Sequence, residues 1–427
     1  MLKYKNYFGA LFLRSSTPSV LYIAFHYPPI LGSSGVHRSL AFTRHLSEQG
    51  WSVRVLTPSL AAYENWSAEQ LSFVPEKVQL IRAFARDVAR HFSWRGKYLG
   101  RMAVPDNWQS WIGGGLLAGL WSVLRSRPDV IVSTYPIASA HVIAYCLHRL
   151  TGVPWVADLR DPMAQDNYPA DPVKKRSFEW IERKIVKHCR FAMVTAEGAG
   201  QLYRERFPQS PDNFWRVVPN GYDEAIFADV KPADEAGADA GRRVILHSGV
   251  IYPYERDPSQ LFKALSELKR ESAAGIGTLC LRLRATGNED LYQGWIEELD
   301  IADLVSLEPP IPYAQALQEM LAVDGLLLLQ ADNCNYQIPA KAYEYLRAGK
   351  PVLALTPEEG DTGRLLARAG VADICPLDDK DQIKAVLLSF LGKLDAGTFQ
   401  PLSGEALSVY SRQHQAQVVE GMLGEVI

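Results

Sequence analysis

SVLYIAF (Ser19–Phe25), HYPPILGSSG (His26–Gly35), VHRSLAFTRHLSEQG (Val36–Gly50) and WSVRVLTP (Trp51–Pro58) follow one another near the start of the chain. The first run is continuously apolar, as expected of a strand whose two faces are both covered by helices in a parallel sheet. Leu40, Ala41, Arg44 and Leu46 then recur at helical spacing, and Gly50 stops the helix. Strand, loop rich in Gly and Ser, helix, strand: the unit is the start of an α/β domain.

The same grammar runs outward from it. PDVIVSTYP (128–136), VPWVADLRDP (153–162) and RFAMVTAE (190–197) read as strands, alternating with helices over 139–152 and about 174–188. VVPNGYDEAIF (217–227) closes the first half, and the aperiodic acidic stretch Asp229–Arg242 reads as a linker. Beyond it, RVILHSGV, LCLRLRATG, VSLEPPIP, LLLLQA and KPVLALTP alternate with helical segments, which makes a second doubly wound domain. The expected division is a leader over 1–18, a domain over 19–228, a linker over 229–242, a domain over 243–403, and a helix over 404–427 that suits either domain.

Length and charge agree with two cores. At 427 residues and 47% hydrophobic the chain has material for them, and a net charge of −3 gives no global attraction to nucleic acid. The five cysteines are scattered without metal-ligand spacing and read as reduced thiols of a cytoplasmic protein. No stretch is apolar for long enough to span a bilayer, and WIGGGLLAGLW (Trp111–Trp121) has the look of a buried helix.

Two motifs offer chemistry at the carboxyl ends of strands, where open α/β sheets bind ligands. Gly32 and Gly35 bracket a strand-to-helix loop whose amides suit an anion, although a turn that merely needs glycines reads the same way. It matches neither G-x-G-x-x-G nor the phosphate-loop pattern. Lys341 and Glu344 lie one turn apart in QIPAKAYEYLRAGKPV (337–352), with Pro339 opening the helix and Gly349 closing it. A lysine near a helix start fits a diphosphate and the carboxylate fits ribose hydroxyls; a solvated ion pair fits the same spacing.

In order, F-x-Y-P-P with GSSG, GWSVRVLT, DVIVSTYP, VPWVADLRDP, VPNGYD, HSGVIYxxxRDP and PAKAYEYLRAGKPV resemble family 4 glycosyltransferases of the GT-B fold, bacterial surface-polysaccharide type. The resemblance implies two Rossmann-like domains facing a cleft, and retaining transfer from a nucleotide-diphosphate sugar to a glycan or polyprenyl-linked acceptor. Glu344 takes the place of the ribose-binding acid of the family's E-x7-E motif. The earlier acid is absent, since Tyr336 stands there, and Asn335, Tyr336 and Gln337 are the substitutes expected to hold the donor sugar. Gly249, Arg256 and Lys341, with Gly32 and Gly35, are expected at the diphosphate. Val250 stands where the family usually has an arginine. Arg160 and Asp161 take the place of a His-Asp pair near the anomeric centre, or else form an ion pair in the cleft wall. His141 is the acceptor candidate. No metal and no cofactor are implied.

Arg82–Arg101 carries six cations and one acid, interleaved with Phe84, Phe92, Trp94 and Tyr98. That mixture suits either an anionic membrane surface, which a lipid-linked acceptor requires, or an ordinary charged face. A hydrolysing sugar-nucleotide epimerase and a binding-only relative of the transferases are the alternative readings.

Overall fold

The computed structural model describes residues 17–31, 35–95, 97–165, 168–233 and 241–427. Gly32 and most of the expected leader lie outside the described residues, as do residues 234–240 of the expected linker.

The first domain is built on seven parallel strands: β1 (Ser19–Ile23), β2 (Ser52–Pro58), β3 (Gln79–Ala83), β4 (Val130–Thr134), β5 (Trp155–Arg160), β6 (Ala192–Val194) and β7 (Trp215–Val217). Their spatial order is β3-β2-β1-β4-β5-β6-β7. The second sheet holds β8 (Arg243–Ser248), β9 (Leu279–Arg284), β10 (Val305–Glu308), β11 (Gly325–Leu329), β12 (Val352–Leu355) and β13 (Ile374–Cys375). Their order, β10-β9-β8-β11-β12-β13, repeats the pattern of the first. In each sheet the order reverses beside the first strand, opening a crevice at the carboxyl ends. Two doubly wound domains with this topology are the GT-B architecture.

Burial explains the strands. β1 and β4 are buried along their whole length because helices cover both faces. The sequence reading lacks β3, β7 and β13, and all three are sheet edges. β7 has three residues and β13 two, and β3 is buried only at its last residue, so none shows the apolar run of a central strand.

Two helices depart from expectation. The helix Ser110–Arg125, read as buried, lies on the surface with Leu117, Trp121 and Leu124 exposed. Its inner side is glycine: a Cβ on Gly115 would come within 2.5 Å of Ile143 Cδ1, and one on Gly119 within 2.7 Å of Leu147 Cδ1. The helix therefore seats almost backbone-first on the helix Ser139–Thr151; Trp111 and Val123 still reach the core, while Leu117, Trp121 and Leu124 are left to point outward.

The terminal helix, Arg412–Gly424, crosses back to the first domain. Ala416, Val419 and Leu423 join the core of Val20, Tyr22 and Val132. Glu420 accepts from His45 Nε2 at 2.8 Å, on the helix Gly35–Glu48. Where the chain crosses, Tyr222 N donates to the Tyr410 carbonyl and Arg412 N to the Tyr222 carbonyl, so the two connecting segments run paired.

Candidate active site

A cavity of about 1030 Å³ lies between the carboxyl ends of the two sheets, and both domains line it. Its N-terminal wall is built on a buried ion pair. Asp158, fully buried near the end of β5, accepts from Arg38 Nε and Nη2, both at 3.0 Å, and from Thr134 Oγ1 at 3.0 Å. Arg38 also donates Nη1 to the Pro219 carbonyl. This fork fixes the helix Gly35–Glu48 against β4 and β5, so that its first turn faces the cavity.

Arg160 and Asp161 follow. Arg160 has φ +59°, in the left-handed region that an arginine rarely adopts, and the β5–β6 register shifts there. The turn aims its guanidinium at the Tyr135 carbonyl, 3.3 Å from Nη1, while Nε has no partner among the described residues. A Cβ on Gly35 would stand 2.5 Å from Arg160 Nη1, so a residue without one is needed where helix and guanidinium meet. Burial raises the Asp161 carboxyl above its usual range, against the opposing pull of Arg160 and Arg38. Burial, with Arg160 beside it, also lowers His26 to about 4, so its imidazole is neutral at pH 7.

The opposite wall comes from the second domain. Gly249, just past β8, has φ +114°, and a Cβ there would approach Lys341 Nζ to 2.8 Å. Lys341 sits in the first turn of the helix Ala340–Ala348. Its Nζ lies 3.2 Å from His247 Nε2, and His247 Nδ1 lies 3.0 Å from the Leu327 carbonyl. With Nδ1–H donating to that carbonyl, Nε2 offers its lone pair to the ammonium. Burial and Lys341 hold His247 well below the ordinary histidine range, so the lysine rests on a neutral partner. Burial, then the Arg256 guanidinium, lower Lys341 itself to about 7, with Glu344 opposing. Arg256 is held by the Val250 carbonyl at 2.6 Å and by the Tyr252 ring, 5.2 Å away. An anion entering here meets Arg256 and Lys341, and it favours the protonated form of the lysine.

Glu344, one turn along from Lys341, accepts from Tyr313 Oη at 2.8 Å through one oxygen. The Tyr313 ring lies 5.6 Å from His37 of the first domain, so the carboxylate is linked across the cleft. Arg412 also lines the cavity, and its buried Nη1 is without a partner among the described residues.

The structure thus brings Arg160, Asp161, Gly249, Arg256, Gln337, Lys341 and Glu344 to one cavity, with Gly35 beside Arg160. Three expected residues stand elsewhere. His141 is fully buried, its Nδ1 2.7 Å from Ser133 Oγ, too deep to meet an acceptor. Tyr336 packs on the core of the first domain, and Asn335 faces Gly360, whose Cβ would come within 2.5 Å of Oδ1. Arg160 and Asp161 do not form the expected alternative, a cleft-wall ion pair, because the arginine is turned to the Tyr135 carbonyl. Sequence reasoning missed His247, Tyr313 and Arg412. Only His247 carried a signal, as the histidine two residues before Gly249. No group of three His, Cys, Asp or Glu suited to a metal ion occurs among the described residues.

Residues 34–221 match the family model described as a glycosyl transferase 4-like domain. No curated protein matches the sequence. Sucrose-phosphate synthase from Thermosynechococcus elongatus is similar in structure, with a TM-score of 0.67 at 13% identity over 96% of this chain and 99% of that one. HepE of Anabaena, solved in complex with UDP, gives 0.65 at 12% identity over 96% and 100%. A Listeria monocytogenes structure described as a UDP-N-acetylglucosamine 2-epimerase gives 0.57 at 11% identity over 96% of each. At such identities the likeness is one of fold, and the fold is shared by proteins described as a synthase and as an epimerase.

Proposed function

Because the chain carries a glycosyl transferase 4-like domain on the GT-B fold, we propose that it transfers a sugar, with retention of anomeric configuration, from a nucleotide-diphosphate sugar to a glycan or lipid-linked acceptor in surface-polysaccharide synthesis. The observation that carries the reading is the shared exposure of Lys341, Arg256 and Glu344 to the cavity that Arg160 and Asp161 line from the other domain.

In this reading the diphosphate lies over Gly249, between Lys341 and Arg256 and near the start of the helix Ala340–Ala348. The ribose hydroxyls donate to the Glu344 oxygen that Tyr313 leaves free. As the bond from anomeric carbon to phosphate oxygen breaks, negative charge grows on the leaving diphosphate, and the two fixed cations stabilise it. The acceptor hydroxyl attacks on the same face and gives its proton to the departing phosphate oxygen, so no enzymic base is required. Arg160 and Asp161 orient the groups at the reacting carbon. A nearby cationic face, Arg82–Arg101, serves an acceptor carried on a membrane lipid. The protein works at the cytoplasmic side, without a metal or cofactor.

A panel of UDP, GDP, ADP and dTDP sugars tests this, read by thermal shift and by nucleotide release. One of them should stabilise the protein and release its nucleotide only with acceptor present. Release without acceptor points to the hydrolysing epimerase reading, and binding without any release points to the binding-only one.

A further inference from the structure

The helix Ser110–Arg125 is covered on one side only. Leu117, Trp121 and Leu124, at i, i+4 and i+7, are 73%, 61% and 74% exposed. Such spacing makes one continuous apolar stripe along a helix. The first turn is tied to the basic stretch: Ser110 Oγ accepts from Arg86 N and donates to the Arg86 carbonyl, and Gly114 sits against the Phe84 carbonyl. Phe84 is exposed with the Arg86 guanidinium over its ring, and Arg125 lies 5.4 Å from the Trp121 ring. At the far end Arg127 donates to the Thr151 carbonyl, beside the exposed Leu150.

Charge decides what covers this stripe. Residues 82–127 hold eight Lys and Arg against Asp87 and Asp106. Asp106 is buried, accepting from Ser139 N and Oγ, so the face turned outward is strongly positive. Arg82 is held by the Pro28 carbonyl rather than by an acid, and Arg90 donates to the Ala62 and Tyr63 carbonyls with Asp87 4.0 Å from its Nε. Exposed apolar side chains rimmed by cations and interleaved with aromatics match a bilayer surface bearing anionic headgroups, with the helix lying flat in the interface.

We infer that the face formed by Leu117, Trp121 and Leu124, with Phe84, Arg86 and Arg125 at its rim, seats this protein on an anionic lipid surface. The inference extends the lipid-linked acceptor reading, from which its test is separable. Arg82, at the edge of this face, holds the Pro28 carbonyl of the loop that carries Ile30 and Leu31 into the cavity.

The full chain is sedimented with vesicles of phosphatidylglycerol and phosphatidylethanolamine, or of phosphatidylcholine alone, at low and high salt. The wild type should pellet with the anionic vesicles and less so at high salt, where screening shortens the reach of the cations. The variant Leu117→Glu/Trp121→Glu/Leu124→Glu changes only exposed positions and should bind at least tenfold more weakly, with unchanged circular dichroism and nucleotide thermal shift. Equal pelleting of variant and wild type overturns the inference, as does a wild type that binds neither vesicle. A variant that instead turns a dimer into a monomer overturns it in favour of a second copy on the stripe. Loss of nucleotide binding in both proteins bears on the transferase reading and leaves the vesicle result standing.

Discussion

At the crevice of the N-terminal domain two buried charges answer one another: Arg38 is gripped by both oxygens of Asp158, and the pair ties a helix to the sheet. At the matching crevice of the C-terminal domain, Lys341 rests on a neutral imidazole with a second cation, Arg256, close by. Strand order is the same, yet the Arg38–Asp158 pair closes its charge internally, whereas Lys341 and Arg256 leave positive charge uncompensated. A paired buried charge holds structure together. A buried cation whose nearest partner is neutral is suited to an anion from outside.

The contrast can be broken from either side. The largest effect is expected from Asp158→Ala, which strands Arg38 in the interior and should cost about 3–5 kcal/mol in urea unfolding of the first domain. Nucleotide binding by the second domain should persist at temperatures where the variant stays folded. Lys341→Met should leave stability intact and weaken a nucleotide-diphosphate sugar by about 1.5–3 kcal/mol, roughly 10- to 150-fold by calorimetry.

Next comes pH. Lys341 is lowered to about 7 in the empty cavity, from about 10.4 for a free lysine. An anion favours its protonated form, so affinity should be full below about 7 and fall as pH rises through that value towards 9. Lys341→Met should flatten the profile. A nucleotide-diphosphate sugar is the right probe, because its diphosphate does not titrate in this window. The smallest effect belongs to Tyr313→Phe. Losing one hydrogen bond to Glu344 should weaken the same ligand by about 0.5–1.5 kcal/mol, two- to twelvefold.

The two domains also differ in how far they could be read beforehand. Central strands announced themselves through unbroken apolar runs, while β3, β7 and β13, short and at sheet edges, did not. Lys341 and Glu344 were visible because a single helix turn joins them. His247 and Tyr313 meet these residues across 94 and 31 positions, so no local pattern connects them. His141 and Tyr336 misled for the opposite reason: each lies near a strand end or motif, but folding buries His141 and packs Tyr336 against the core of the first domain. The helix Ser110–Arg125 looked buried from its composition. Its glycines instead let the backbone itself make the contact, which leaves Leu117 and Trp121 outside.

The central claim is that the helix Ala340–Ala348 presents a nucleotide-diphosphate site to the cleft. Calorimetric titration of wild type, Lys341→Met and Glu344→Ala with the nucleotide-diphosphate sugar that stabilises the protein tests it most directly. The account predicts one site per chain, weakened in both variants, with the pH dependence lost only in Lys341→Met. Unchanged affinity in both variants would contradict it.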